Sequence, residues 1–146
     1  MISAKIQDGE AIGPRLLSSG PYFGGFRCEY DVKVAEDDCV AWPNDITDDE
    51  LRQEVDYWTN TGIRSIKIKQ STPHETKIII DQAKKHGLTT TGHLANYLVE
   101  YDVSTLDAIT MGMDRIEHQL LLALSPQEAD PNELAEIIQL MIDKQV

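Results

Sequence analysis

The sequence predicts an α/β fold in which parallel strands alternate with helices that cover the sheet. Helix-capping signals recur along the chain, a short strand-like segment follows each helix, and four β/α units repeat at a spacing of about 25 residues. Right-handed crossovers of this length build either a doubly wound sheet or a (β/α)₈ barrel. No glycine fingerprint for a dinucleotide follows any strand, and the inward-facing residues described below favour the barrel.

The first half of the chain provides two predicted strands and one predicted helix. A first strand is predicted at residues 15–19. Thr47 and Glu50 form a capping-box pair that opens a helix, and Gly62 ends this helix. Residues 63–69 then alternate between apolar and polar side chains, which is typical of a strand with one face against helices.

The second half repeats this order of elements. Thr72 and Glu75 form another capping box, with Pro73 at the first helical position, and the helix ends at Gly87. The remaining elements are a strand at 88–94, a helix from Ser104 to Gly112, a strand at 114–118 and a last helix at 132–143. A helix therefore separates each strand from the next, as a parallel sheet requires.

The composition indicates one ordinary globular domain with a strong negative charge. The 146 residues include 25 acidic and 13 basic side chains, which give a formal net charge of −12. A pI of about 4.6 argues against nucleic acids and anionic membranes as partners, because their phosphates need a basic surface. No apolar run is long enough to cross a bilayer. Cys28 and Cys39 can be free thiols or one disulfide, so the compartment stays open.

Three polar side chains are predicted to meet at the carboxyl ends of neighbouring strands. In the strand after the first helix, Ile66 and Ile68 share the face that meets the helices of a barrel, so Lys67 faces inward. His93 lies near the end of the next strand and His118 ends the one after it, at intervals of 26 and 25 residues. Catalytic groups of (β/α)₈ barrels lie at this end of the strands.

These side chains suit a divalent metal. Two neutral imidazoles can bind zinc at about 2.0 to 2.1 Å, whereas a protonated lysine has no lone pair to offer. If CO₂ carbamylates Lys67, the amine becomes a carboxylate whose two oxygens can bridge two cations. A metal pair lowers the pKa of bound water towards about 7 and polarises a carbonyl oxygen. The residues therefore predict metal-assisted hydrolysis of an amide or ester.

Other uses of the same residues stay open. Lys67 can be an ion-pair partner, or the nucleophile of a Schiff-base lyase. The chain can also be a non-catalytic, oligomerising β/α scaffold. His74 and His86 fall in the first and last turns of one helix, and neither is assigned a catalytic role.

Four motifs carry a resemblance to a known family. They read GPRLLSSGPYFGG at 13–25, DDELRQEVDYWTNTGIRSIKIK at 48–69, KKHGLTTTGHL at 84–94 and DAITMGMDRIEHQL at 107–120. In order and spacing they resemble the metal-dependent amidohydrolase superfamily, in its branch of prolidase-like and imidazolonepropionase-like enzymes. The resemblance covers nearly the whole chain, which makes it more specific than any single motif.

The resemblance implies a fold and a ligand set. Residues 1–146 correspond to a single fragment of the catalytic barrel, strands three to six of a (β/α)₈ TIM barrel. Lys67 matches the family's carbamylated lysine, which bridges two metals, usually zinc. His93 and His118 match the ligands of the second metal.

The resemblance also implies a substrate with a C–N amide bond, such as a dipeptide or an N-acyl amino acid. Asn96 and Tyr97 follow His93 closely and are placed to contact this small molecule. The long segment 22–44 follows the first predicted strand at the same end of the sheet, so it can act as a substrate loop.

Two parts of the family's active site have no match in this sequence. No histidine precedes residue 74, so the His-x-His motif of the family's first strand is absent. The aspartate of its eighth strand, which serves as a ligand and general base, is absent too. We therefore expect the isolated chain to be inactive. Because an open set of four strands leaves unpaired edges, which closed barrels avoid, we also expect a homo-oligomer.

Overall fold

The computed structural model describes residues 2–14, 16–17, 19–24, 46–69, 71–94, 103–118 and 130–146. Within these ranges, five helices and four strands are present. The helices are α1 (Ile2–Gln7), α2 (Asp48–Asn60), α3 (Pro73–Lys85), α4 (Thr105–Met111) and α5 (Pro131–Lys144). The strands are β1 (Tyr22–Phe23), β2 (Ser65–Lys69), β3 (Thr89–His93) and β4 (Arg115–Ile116).

The four strands form one parallel sheet in the order β1-β2-β3-β4. Tyr22 pairs with Lys67, Lys67 with Thr91, and Thr91 with Arg115. Helix α3 contacts both β2 and β3, and it also packs against α2 and α4. Strands that follow one another in the chain are neighbours in the sheet, as in part of a (β/α)₈ barrel. The predicted α/β fold with parallel strands is confirmed.

The helices begin where the capping signals place them. Thr47 Oγ1 accepts a hydrogen bond from Glu50 N at 3.3 Å, while Glu50 Oε2 accepts one from Thr47 N at 2.8 Å. Thr72 and Glu75 form the same capping box at the start of α3. Helix α4 ends at Gly112, whose φ of 94° lies in the left-handed region that glycine tolerates. The local signals therefore fix the ends of these helices.

The apolar core lies between the sheet and its helices. Ile66 and Ile68 of β2 are buried, whereas the side chains that alternate with them are only partly buried. The two isoleucines pack in one cluster with residues of α2 and α3, namely Leu51, Val55, Ile79, Ile80 and Ala83. Burying each isoleucine, leucine or valine side chain of this cluster stabilises the fold by about 1.5–3 kcal/mol. The apolar face of β2 meets the helices as predicted, and the polar face lies on the opposite side.

The prediction of a first strand at 15–19 is wrong. Residues 16, 17 and 19 are irregular, and Leu16 and Leu17 are 42% and 62% exposed. The strand lies further along the chain as β1, where Phe23 is fully buried and pairs with β2. Gly20, with a φ of 70°, turns the chain ahead of it. Leu16 and Leu17 are apolar, which is consistent with a strand, but in the structure the larger side chain of Phe23 is buried in the core instead.

Helix α5 is the longest helix of the described part of the chain, at 14 residues. Asp130 caps it by accepting a hydrogen bond from Asn132 N at 2.8 Å. Ile137 is buried, whereas Ile138 and Ile142 are 45% and 66% exposed. Helix α5 thus presents apolar side chains to solvent as well as to the core. Over the described ranges, no helix is long and apolar enough to cross a membrane.

We expect the chain to self-associate. Within the described sheet, β1 and β4 are the two outer strands, and the outer strands of an open sheet readily pair with other chains. Exposed apolar residues flank these strands in the sequence, Ile12 and Leu17 before β1 and Ile138 and Ile142 after β4. Size-exclusion chromatography with light scattering should show a dimer or a larger species. Ile138→Lys with Ile142→Lys should shift it towards monomer, and a wild-type monomer at high concentration would contradict this expectation.

Candidate active site

Lys67 and Glu117 form a partly buried ion pair on the polar face of the sheet. Lys67 Nζ donates a hydrogen bond to Glu117 Oε2, and the two side chains are 18% and 28% exposed. Thr91 Oγ1 donates to the other carboxylate oxygen, Glu117 Oε1, at 3.1 Å. The Lys67 ammonium also lies 5.2 Å from the centroid of the Tyr22 ring, within the range of a cation–π contact. One side chain from each of β1, β2 and β3 therefore lies close to Glu117, which directly follows β4.

His93 and His118 lie side by side at the carboxyl ends of β3 and β4. Their ring centroids are 4.6 Å apart, and the ring planes meet edge to face at 65°. His118 Nε2 is 3.6 Å from Glu117 Oε2, which connects the imidazole pair to Lys67. The structure thus brings together the three side chains that the sequence placed at this end of the sheet. Their role as metal ligands stays a prediction.

The strand register shows why sequence reasoning missed Glu117. Paired residues of β2, β3 and β4 lie 24 apart in the sequence, as Lys67 and Thr91 do. Counting 24 residues from His93 leads to Glu117, not to His118. The sequence prediction used intervals of 26 and 25 residues and so chose only the histidine. A constant interval between paired strands would have found the glutamate.

His118 reaches the site through an uncommon backbone conformation. Successive side chains of a strand point to opposite faces, so a continued strand would separate the side chains of Glu117 and His118. Strand β4 has already ended there, although Glu117 N still donates to Gly92 O at 3.0 Å. His118 has a φ of 67°, in the left-handed region that few residues other than glycine adopt. This turn places its ring beside that of His93.

Glu117 is ionised at neutral pH. Burial raises the pKa of its carboxyl group, but the hydrogen bond and positive charge of Lys67 and the hydrogen bond from Thr91 outweigh burial. The charge of His118 acts in the same direction, and the pKa of Glu117 lies below its usual range. The site therefore holds a negative charge beside the two imidazoles.

The imidazole of His93 is neutral at neutral pH. Burial is the largest cause that lowers the pKa of its imidazole, and the positive charges of His118, Lys69 and Lys67 lower this pKa further. The negative charge of Glu117 acts against them without reversing the result. A neutral imidazole keeps the nitrogen lone pair that a metal ion needs.

The lowered pKa of His93 predicts that acid destabilises the metal-free fold. In the unfolded chain this imidazole returns to a pKa of about 6.5, so below that pH the unfolded state binds a proton that the folded state does not. Stability should therefore fall as the pH drops from about 6.5 towards the folded pKa, with no such effect at higher pH. Urea unfolding of wild type and His93→Gln across this range measures the loss, which should be smaller in the variant. Equal losses would contradict the prediction.

The two remaining histidines join α2 and α3. His74 Nε2 lies 2.7 Å from Asp48 Oδ1, and His86 Nε2 lies 2.6 Å from Asp56 Oδ1. The hydrogen bond with His74 lowers the pKa of Asp48, and hydrogen bonds from Gln82 and then His86 lower the pKa of Asp56. These contacts lie at the two ends of α3, so both histidines have a structural partner outside the candidate site.

Several predicted features lie outside the described residues, namely Asn96, Tyr97, Cys28, Cys39 and most of the segment 22–44. Among the residues that the structure does describe, no group of three or more histidine, cysteine, aspartate and glutamate side chains could hold a metal ion. A metal beside His93 and His118 would therefore need a donor beyond this set of described side chains.

The chain is similar to solved structures over almost its whole length. It aligns with a proposed prolidase from Bifidobacterium longum at a TM-score of 0.63 and 21% identity, over 96% of this chain and 31% of that chain. It aligns with an uncharacterized protein at a TM-score of 0.62 and 20% identity, over 98% of this chain and 37% of that chain. The likeness is one of fold. No family model and no curated protein matches the chain.

This prolidase-like fold agrees with the predicted partial barrel. The chain spans about a third of the length of each solved structure, while nearly all of its own residues align. Four parallel β/α units are about half of a (β/α)₈ barrel, so a chain of this kind corresponds to a portion of the larger fold.

Proposed function

We propose that this chain carries part of the metal site of a hydrolase that acts on C–N amide bonds. The observation that supports this best is the pair of imidazoles, His93 and His118, joined through Glu117 to Lys67. The prolidase-like fold and the position at the carboxyl ends of parallel strands support the same function. We propose a small amide as the substrate, such as a dipeptide or an N-acyl amino acid.

The residues present fit a zinc ion if Lys67 is carbamylated. Zinc binds neutral imidazole nitrogens, and the lowered pKa of His93 keeps its ring neutral. Two imidazoles alone leave a zinc site incomplete, and among the described residues no group of three or more histidine, cysteine, aspartate and glutamate side chains could hold a metal ion. The carbamate of Lys67 would supply the missing oxygen donors and could bridge to a second ion.

Carbamylation converts the Lys67 amine into a carboxylate. The Lys67 ammonium first gives one proton to solvent. The neutral amine nitrogen then forms a bond to the carbon of CO₂, and one C=O electron pair moves onto oxygen. A second proton leaves the nitrogen for solvent, so the product carries one N–H and a single negative charge. The reaction needs only dissolved CO₂ as a co-reactant.

A bound metal would lower the pKa of a water molecule and polarise the amide carbonyl. His93, His118 and the carbamate of Lys67 would hold it in place. The sequence contains no His-x-His motif, which supplies further ligands in the family that it resembles. We therefore expect the 146-residue chain to bind metal without turnover. Hydrolysis of an amide by the purified chain, abolished by a chelator, would contradict that expectation.

Zinc binding should depend on CO₂. We expect isothermal titration calorimetry to show affinity for zinc that is about tenfold or more stronger in bicarbonate buffer than in CO₂-depleted buffer. With ¹³C-bicarbonate, NMR should show a carbamate signal that Lys67→Met removes. Lys77→Met is the matched control, because Lys77 is half exposed on α3 and pairs with Asp81. A chain that binds no zinc in either buffer would overturn the proposal.

Two other functions give different results in the same experiments. A Schiff-base lyase would form an imine at Lys67, which borohydride traps with a carbonyl substrate, whereas a carbamylated lysine cannot form one. A non-catalytic scaffold would bind no zinc, and its stability would not change on addition of the metal.

A further inference from the structure

We propose that Glu117 is a positioning residue for Lys67, which it holds by accepting a hydrogen bond from Nζ both before and after carbamylation. This inference rests on the proposed function. Glu117 is not among the residues that the sequence predicts for the metal site.

The contacts of Glu117 leave its carboxylate little freedom. Oε2 accepts from Lys67 Nζ on β2, and Oε1 accepts from Thr91 Oγ1 on β3 at 3.1 Å. The backbone N–H of Glu117 donates to Gly92 O at 3.0 Å, which fixes the main chain against β3. Both oxygens and the backbone are therefore engaged, and the side chain is 28% exposed. A carboxylate held by Thr91, on a main chain that is fixed against β3, can in turn fix the flexible lysine that it contacts.

The hydrogen bond from Lys67 Nζ to Glu117 can also form after Lys67 is carbamylated. The free ammonium has three N–H donors, and the carbamylated nitrogen keeps one. If that remaining N–H donates to Glu117 Oε2, the new carboxylate group must point away from Glu117. The negative charge of the carbamate then favours a divalent cation between the carbamate and the imidazoles. Glu117 would thus select the orientation of the carbamate that a metal can use.

The contacts of Glu117 favour this task over direct metal binding. Glu117 Oε2 is 3.6 Å from His118 Nε2, but that oxygen contacts Lys67 and the other oxygen accepts from Thr91. A ligand oxygen would have to bind the metal while it still accepts a hydrogen bond from one of these partners. In orienting a ligand, Glu117 resembles the carboxylates that hydrogen-bond metal ligands in many metalloproteins.

A double-mutant cycle on zinc affinity tests the proposal. The full chain is titrated with zinc in bicarbonate buffer as wild type, Glu117→Gln, Lys67→Met and the double variant. Glu117→Gln should weaken zinc binding by about 10–100-fold in the wild-type background, as loss of a residue that orients a ligand does. In the Lys67→Met background the same change should alter affinity less than about twofold, because Glu117 then has no lysine to position.

The other outcomes contradict the inference in separate ways. An equal effect in both backgrounds means that Glu117 acts independently of Lys67, and a larger effect in the Lys67→Met background means that Glu117 binds zinc itself. A wild-type chain that binds no zinc overturns the proposed function, and this inference with it. A wild-type chain that binds zinc while Glu117→Gln binds it equally well overturns the inference alone.

Further variants separate positioning from folding. Thr91→Val keeps the shape of Thr91 but removes the hydrogen bond to Glu117 Oε1, so it should weaken zinc binding in the same direction by a smaller factor. Glu10→Gln removes an equal charge from an exposed position and should leave zinc affinity unchanged. The ¹³C carbamate signal should weaken in Glu117→Gln and not in Glu10→Gln. A full carbamate signal in Glu117→Gln would contradict a positioning role.

Discussion

Replacing His93 and His118 together by alanine is expected to abolish zinc binding by the chain. The two rings are 4.6 Å apart, and they are the only imidazoles that the described residues bring to this end of the sheet. Without them the carbamate of Lys67 is left as the sole proposed ligand. We expect affinity to fall by more than about 100-fold, beyond the effect of losing a residue that merely orients a ligand. Isothermal titration calorimetry with zinc in bicarbonate buffer measures it.

The matched control is His74→Ala with His86→Ala. This variant removes the same number of imidazoles, but from the ends of α3, where they pair with Asp48 and Asp56. Its zinc affinity should stay within about threefold of wild type, because surface histidines bind single ions weakly. If both double variants lost zinc binding equally, the assignment of His93 and His118 as ligands would fail.

Phe23→Ala should destabilise the fold by about 3–5 kcal/mol, the usual cost of removing a buried aromatic side chain. Phe23 is fully buried and belongs to the main apolar cluster. It is also half of β1, and its carbonyl accepts a hydrogen bond from Ser71 Oγ at 3.4 Å. A typical domain has only about 5–15 kcal/mol of stability, so this change removes a large part of it. Urea unfolding followed by circular dichroism gives the difference.

Leu17→Ala is the control for the position of this strand. Leu17 lies inside the strand predicted at 15–19, yet its side chain is 62% exposed. Its replacement should change stability by less than about 0.5 kcal/mol, as surface substitutions do. A large loss for Leu17→Ala with little change for Phe23→Ala would favour the predicted strand over β1.

The helices could be predicted because their signals are local. Thr47 with Glu50 and Thr72 with Glu75 satisfy backbone N–H groups within one turn, so neighbours in the sequence suffice to place each start. Gly112 ends α4 for a similarly local reason, its positive φ. Three of the four strands also lie within their predicted ranges, since each directly follows a helix end.

The remaining features depend on contacts between distant residues. Whether the leucine pair or Phe23 enters the core depends on which segment pairs with the edge of β2. That strand lies more than 40 residues further along the chain. Glu117 contacts Lys67 across β3 because two ladders bring Lys67 level with Arg115, two residues before Glu117. The sequence predicted Lys67, His93 and His118 from their places in β/α units, whereas Glu117 follows only once the 24-residue interval between paired strands is known.

The left-handed backbone conformation at His118 lowers the stability of the fold but places an imidazole in the proposed metal site. A residue other than glycine held at positive φ costs about 1–3 kcal/mol, and the folded chain bears this cost with or without a metal. Asparagine or glycine adopts that conformation more easily, but neither offers an imidazole nitrogen. The most thermostable version of this polypeptide would therefore lack the imidazole at position 118, so directed evolution for heat resistance alone would tend to weaken the proposed metal binding.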